Sequence, residues 1–208
     1  MARIRPPHVY YLSGVRPVNL FAVPTWPAQC KSCGHGMMAY ALLGDFVELL
    51  HHYYGEDLFC VDTGFCCSPR LTRALRILPG LEFMRLEARY HGYSTIDTTP
   101  GIKRPKFFWL PQINSNVADM AIVEGGRCCR DCGWREWVSP RGEGEPFRPM
   151  WEYWRPQPDD WDGSPFFWLV SQNLDRLGPL ITQPALDVIE DFNLGTETQI
   201  HEVQWHEE

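Results

Sequence analysis

The chain has 208 residues, of which 44% are hydrophobic and 22% are charged, and its formal net charge is -7. This composition is typical of a globular protein and excludes a disordered tail. The basic residues are scattered and form no block that could follow a phosphate backbone, so nucleic acid is disfavoured as a partner.

The longest helical candidate is interrupted by Gly44, Asp45 and Glu48, which predicts no membrane span. Residues 1–17 lack the apolar centre of a secretory signal, so a cytoplasmic location is expected.

The first quarter of the chain predicts extended segments followed by a helix. Five prolines interrupt residues 1–29 and favour short extended pieces there. From Met37 to Tyr54 the apolar residues follow helical spacing, and Gly55 ends the run, so a helix is predicted over this segment.

Two capped helices, each followed by a strand, are predicted in the remainder of the chain. Ser68 is placed to cap a helix that has Pro69 at its first position. Residues 81–96 then alternate between apolar and polar side chains, as in a strand or hairpin. The same order returns near the carboxyl end, where Thr182 is placed as the second cap and residues 196–205 alternate as a strand.

A segment rich in proline, glycine and acidic residues, 139–165, predicts a surface loop. Its aromatic side chains can wedge an irregular segment onto the core or anchor a partner, and its acidic side chains can be solvated or face a partner. The tryptophans concerned are Trp151, Trp154 and Trp161, and the aspartates are Asp159, Asp160 and Asp162.

Two copies of the pattern Cys-x-x-Cys-Gly, CKSCG and CRDCG, predict one structural zinc site. Two thiolates separated by two residues can reach the same ion, and the following glycine lets the backbone turn. Each copy supplies two ligands and a closed tetrahedral site needs four, so both copies together form one site without an open position for water. The predicted Zn²⁺ ligands are Cys30, Cys33, Cys129 and Cys132.

The other cysteines leave alternatives open. Loss of metal and a redox pair remain alternatives to zinc, although proline and glycine around CKSCG are unlike a thioredoxin-type motif. His35 is an alternative ligand, and Cys128 makes the second ligand pair ambiguous by one residue. Cys60, Cys66 and Cys67 lack metal-ligand spacing and are expected to be buried apolar side chains. No histidine supplies the general base of a zinc hydrolase or deaminase motif.

The two motifs resemble the double-CXXCG motif family of myxobacterial proteins, which includes immunity proteins for swarming-inhibition toxins. The tail from WDGSPFFWLV to QIHEVQW is similar to the ending of that family, in which an aspartate-rich turn precedes a hydrophobic strand, a helix and a closing strand. The segment SPRLTRALRILPGLEFMRL also resembles units of related immunity families. The resemblance implies a non-catalytic protein that binds and neutralises a cognate toxin.

The expected fold is α+β: a single domain over residues 1–208, closed by a split zinc knuckle at 30–34 and 129–133. Two helix-then-strand units and long loops rich in proline and glycine complete it. The negative net charge of the chain would attract a basic toxin as partner. One alternative is a zinc-ribbon-like module that binds protein or nucleic acid. Another is an enzyme with Cys66, Cys67 or Cys128 as nucleophile and His52 or His91 as its base.

Overall fold

The computed structural model describes residues 6–25, 31–32, 39–49, 53–61, 64–91, 101–120, 149–170 and 176–207. In these ranges the chain is α+β, as expected, and most of its regular structure is β-sheet. The strands are β1 (Val9–Ser13), β2 (Asn19–Thr25), β3 (Ala39–Leu49), β4 (Leu58–Val61), β5 (Gly64–Cys67), β6 (Glu82–Tyr90), β7 (Phe107–Gln112), β8 (Asn116–Ala118), β9 (Phe166–Val170), β10 (Arg176–Thr182) and β11 (Gln199–Val203). The helices are α1 (Pro69–Leu75), α2 (Gln183–Ile189) and the short 3-10 helices Met150–Tyr153 and Pro158–Asp160.

The strands form two sheets. Sheet A has the order β11-β1-β10-β9-β8, and sheet B has the order β2-β3-β6-β7-β5-β4. Most neighbouring pairs are antiparallel, but β3 pairs with β6 and β8 pairs with β9 in parallel. Sheet A joins the amino-terminal strand β1 to the tail strands β10 and β11. The tail is therefore an integral part of the fold.

Both helices that were predicted to begin at a capping residue form, and their amino ends differ. The hydroxyl of Ser68 accepts a hydrogen bond from the Leu71 N–H, which caps α1 as predicted. Thr182 occupies the equivalent position before α2, but its hydroxyl donates to the carbonyl of Pro165 instead of capping the helix. The expected strands follow each helix, as β6 and β11.

The helix predicted from Met37 to Tyr54 is wrong, because residues Ala39–Leu49 form the strand β3. Phe46 and Leu49 fit a helical spacing, but Leu49 also belongs to a period-two pattern with Val47. Val47 and Leu49 are buried, whereas Glu48 between them is only partly buried. β3 lies between β2 and β6, so backbone pairing on both sides overrides the local helical preference.

The main core lies where the two sheets and both helices meet. Sheet A contributes Phe166 and Ile181, sheet B contributes Phe65, α1 contributes Leu71 and α2 contributes Leu186. A second cluster lies on the other side of sheet B, and a third lies on the outer side of sheet A. Both sides of the interior strand β9 are covered, which explains why the consecutive apolar residues of that strand are all buried.

Candidate functional site

The four predicted zinc ligands, Cys30, Cys33, Cys129 and Cys132, lie outside the described residues. The two residues between the first pair, Lys31 and Ser32, are described and form an exposed turn. A turn is the conformation that two thiolates at this spacing need in order to reach one ion. Within the described ranges, no group of three His, Cys, Asp or Glu side chains could hold a metal ion. The zinc site stays a prediction.

Three cysteines outside the two motifs are described, and none of them forms a disulfide. Cys66 and Cys67 are buried, while Cys60 is partly exposed. Burial raises the pKa of Cys66 and also that of Cys67, so both remain protonated thiols at neutral pH. Their burial agrees with the expected packing role. A thiol in this state is a poor nucleophile, which argues against these two residues as the catalytic cysteine of the enzyme alternative.

The tryptophans of the predicted loop pack against the outer side of sheet A. Trp154 is 4% exposed and makes an edge contact with Tyr11 at 5.0 Å between ring centroids. Trp151 stacks on His201 at 4.0 Å, and Trp161 packs in the same cluster. The loop tryptophans therefore wedge an irregular segment onto the core, as one of the two sequence interpretations proposed.

Two of the three aspartates of the same loop, Asp160 and Asp162, accept hydrogen bonds from other residues of the chain. Asp162 accepts hydrogen bonds from the Ser115 hydroxyl and from the Ser164 N–H. Partial burial raises the pKa of Asp162, but these hydrogen bonds outweigh it and hold the pKa below the usual value of 3.8. Asp160 accepts from the Ala118 N–H. Local structure thus accounts for these two acidic residues without a partner.

Asp57 is a buried carboxylate that ties three segments together. Its side chain is 1% exposed. It accepts hydrogen bonds from the Ser68 hydroxyl at 2.5 Å, from Arg70 Nε at 2.6 Å and Nη2 at 2.5 Å, and from the Asn193 N–H at 3.0 Å. The backbone of Asp57 also bonds to both Ser68 and Asn193. The start of β4, the start of α1 and the loop after α2 therefore meet at one carboxylate.

An open pocket of about 550 Å³ lies beside Asp57. Its lining includes the aromatic rings of Tyr53 and Tyr54 and the cations Arg70, Lys103 and Arg104. Burial raises the pKa of Tyr53, so its phenol remains protonated. The lining would suit a small anionic group, but Asp57 already neutralises one of its three cations.

Ser13 and His201 form a pair that sequence reasoning missed. The Ser13 hydroxyl lies 2.7 Å from His201 Nε2, on the neighbouring antiparallel strands β1 and β11. This is the distance between a nucleophile and its base. Among the described residues no carboxylate contacts the imidazole, whose ring is instead stacked on Trp151 at 4.0 Å and lies 6.3 Å from the Tyr11 ring between centroids. The group that orients the base in a triad is therefore missing from the described contacts.

Sheet B has one side that is covered at one end and open at the other. Paired residues point to the same side of a sheet, so the register places Leu58, Cys67, Trp109 and Arg85 in one row across β4, β5, β7 and β6. Leu58 and Cys67 are buried in the main core, whereas Arg85 is exposed. The core therefore covers the β4–β5 end and leaves this side of the sheet open from the middle strands β7 and β6 onward.

The open end carries arginines that lie over aromatic rings. The guanidinium carbon lies 3.5 Å from the centroid of Phe46 for Arg89, 4.6 Å from that of Phe107 for Arg85, and 5.1 Å from that of Trp109 for Arg76. The sequence signal is a charge at every second position of β6, which places the charges on one side of the strand. We call this surface the arginine–aromatic face; its residues are Phe46, Arg76, Arg85, Glu87, Arg89, Phe107 and Trp109.

Comparison of the chain with protein-family models, with curated proteins and with solved structures finds no match. Neither α-helix in the described part of the chain has the length or apolarity to cross a membrane.

Proposed function

We propose that the chain is a non-catalytic immunity protein that binds and neutralises a cognate bacterial toxin. The order of elements in the tail carries the proposal. An aspartate-containing turn at 159–163 precedes the hydrophobic strand β9, and β10, α2 and the closing strand β11 follow. The resemblance to double-CXXCG immunity proteins implies a turn, a hydrophobic strand, a helix and a closing strand, and the tail has these elements in that order with β10 added before the helix. The tail also forms the sheet that contains the amino-terminal strand β1.

A structural zinc ion fits the same proposal. Cys30, Cys33, Cys129 and Cys132 would hold it, and four thiolates would leave it no open position for chemistry. The exposed turn at Lys31 supports this geometry for the first pair. The ion would link two parts of the sequence that are almost a hundred residues apart and thereby stabilise the domain.

The test of function uses the toxin domain encoded by the neighbouring reading frame. We expect the purified chain to form a complex with that domain on size exclusion and to abolish its toxicity when both are expressed together. A neighbouring frame without a secreted or lipid-anchored toxin, or a toxin that the chain neither binds nor neutralises, contradicts the proposal.

The test of the zinc site is metal content by mass spectrometry. Under the one-site model, Cys30→Ser and Cys129→Ser each lose the zinc and lower the unfolding temperature. Cys60→Ser is the matched control, since Cys60 lies outside both motifs, and it should keep the metal. If either motif variant retains full metal, the two motifs do not share one zinc site.

A second candidate function rests on the Ser13–His201 pair. Fluorophosphonate probes react with a serine that a base activates, so a serine hydrolase would label at Ser13 and lose labelling in His201→Ala. The immunity proposal expects no labelling at Ser13.

A further inference from the structure

Two arginines of the arginine–aromatic face lack an acidic partner. Within the described ranges, neither Arg76 nor Arg85 takes part in an ion pair, although each lies over an aromatic ring. Contact with the ring restricts a long side chain before any partner binds, so less conformational freedom is lost on binding. The N–H groups of a guanidinium match the two oxygens of a carboxylate. Both arginines are therefore prepared to receive an acceptor.

The charges along β6 alternate in sign. Arg85, Glu87 and Arg89 lie on one side of the strand, and consecutive charges are about 7 Å apart because a strand rises about 3.3 Å per residue. Arg89 approaches Glu87 only at 3.7 Å, and their side chains are 46% and 59% exposed. Such an exposed contact contributes little, so all three charges can turn to a partner.

Apolar side chains accompany these charges. Phe107 is 37% exposed in the middle of the face, and Ile77 is 77% exposed next to Arg76. Arginine and aromatic residues are enriched at the centre of protein interfaces, where exposed apolar area supplies the burial. The composition is that of a protein-binding surface.

We propose that the arginine–aromatic face docks a segment of the toxin that presents two carboxylates on either side of one basic side chain. The carboxylates would pair with Arg85 and Arg89, and the basic group would pair with Glu87. This inference rests on the proposed function and adds to it the surface and the charge pattern of the partner.

A protein segment fits this face better than a nucleic acid does. A phosphate backbone carries only negative charge and would place a phosphate near Glu87, whose side chain is 59% exposed. The formal net charge of -7 also opposes a polyanion. A protein can place a cation opposite Glu87, and the distant charges are screened at physiological salt.

The experiment measures the Kd of the toxin domain for four variants by biolayer interferometry. We expect Arg85→Glu to weaken binding on the order of a hundredfold, because it replaces an attraction by a repulsion. Arg85→Lys keeps the positive charge but loses the planar guanidinium, which can bond to both oxygens of a carboxylate, so it should weaken binding about fivefold. Glu87→Lys should weaken binding about tenfold. Lys103→Glu makes the same change in net charge as Arg85→Glu outside the face, and its Kd should stay within about twofold of wild type.

Each contrary result has a distinct meaning. If wild type binds the toxin and Arg85→Glu binds equally well, the face is not the interface, while the proposed function stands. If Glu87→Lys binds more tightly, the ligand is uniformly acidic and the alternating pattern is wrong. If wild type binds single-stranded RNA of about 12 nucleotides and Arg85→Glu does not, the face is a nucleic-acid surface. If wild type binds no toxin, the proposed function fails and the docking inference fails with it.

Discussion

Replacing Asp57 by alanine tests whether one buried carboxylate holds three segments together. In Asp57→Ala the hydroxyl of Ser68, a residue that is 2% exposed, loses its acceptor, and so does the partly buried N–H of Asn193. Arg70 also loses its partner, but its side chain is 62% exposed and can be solvated. The cost therefore comes mainly from the two donors that water reaches poorly.

The magnitude follows from these contacts. A buried donor left without a partner costs about 1–3 kcal/mol, and a partly buried one costs about 1 kcal/mol. The exposed arginine adds about 0–1 kcal/mol. We therefore expect the free energy of unfolding to fall by about 2–5 kcal/mol in Asp57→Ala.

Urea unfolding followed by circular dichroism at neutral pH measures this difference. Asp191→Ala is the matched control, because Asp191 is exposed and should change the free energy of unfolding by less than about 0.5 kcal/mol. A loss below about 1 kcal/mol in Asp57→Ala, with an unchanged urea dependence, would refute the role assigned to this carboxylate.

Three further predictions follow from the packing and the pKa shifts. A Cβ at Gly178 would lie 2.8 Å from a ring carbon of Trp154. Gly178→Ala should therefore lower the free energy of unfolding, measured with urea, by about 1–3 kcal/mol and shift the tryptophan emission. Unchanged stability would contradict this packing. Because the folded-state pKa of Asp162 is lowered, its stabilising effect is present above the unfolded-state pKa and is lost as pH falls through the folded-state pKa, below 3.8. The difference in unfolding temperature between wild type and Asp162→Asn should therefore shrink from pH 7 to about pH 3, whereas a constant difference would contradict the shift. Cys66 should resist iodoacetamide in the native protein and react on unfolding, as peptide mass spectrometry would show; rapid native labelling would contradict its burial.

Local sequence signals predicted the elements in which one short segment contains all the information. The hydroxyl of Ser68 and the ring of Pro69 act within the first turn of α1, so their pattern is sufficient to place that helix. The alternation in β6 and β11 likewise reflects sheets that have one side more exposed than the other. The burial of Cys66 and Cys67 was predicted because neither shows metal-ligand spacing.

The errors and omissions involve partners that are distant in sequence. β3 resembles a helix by itself and is a strand because β2 and β6 pair with it. Thr182 has the residue type of a cap, but its hydroxyl donates to the carbonyl of Pro165. The arginine–aromatic face combines residues of α1, β3, β6 and β7, so no single segment could reveal it.

The sequence by itself was sufficient to predict the class of fold and both helix-then-strand units, because these depend on residue types at short spacing. It also predicts the four-cysteine zinc site from the two Cys-x-x-Cys-Gly motifs. Only the tertiary structure decided which surfaces are open. The loop tryptophans and two of the three loop aspartates, which the sequence offered as a binding surface, attach their own segment to the rest of the fold. The open surface is the arginine–aromatic face of sheet B, which the main core does not cover. Exposure depends on what packs above a side chain, and that is a property of the whole fold.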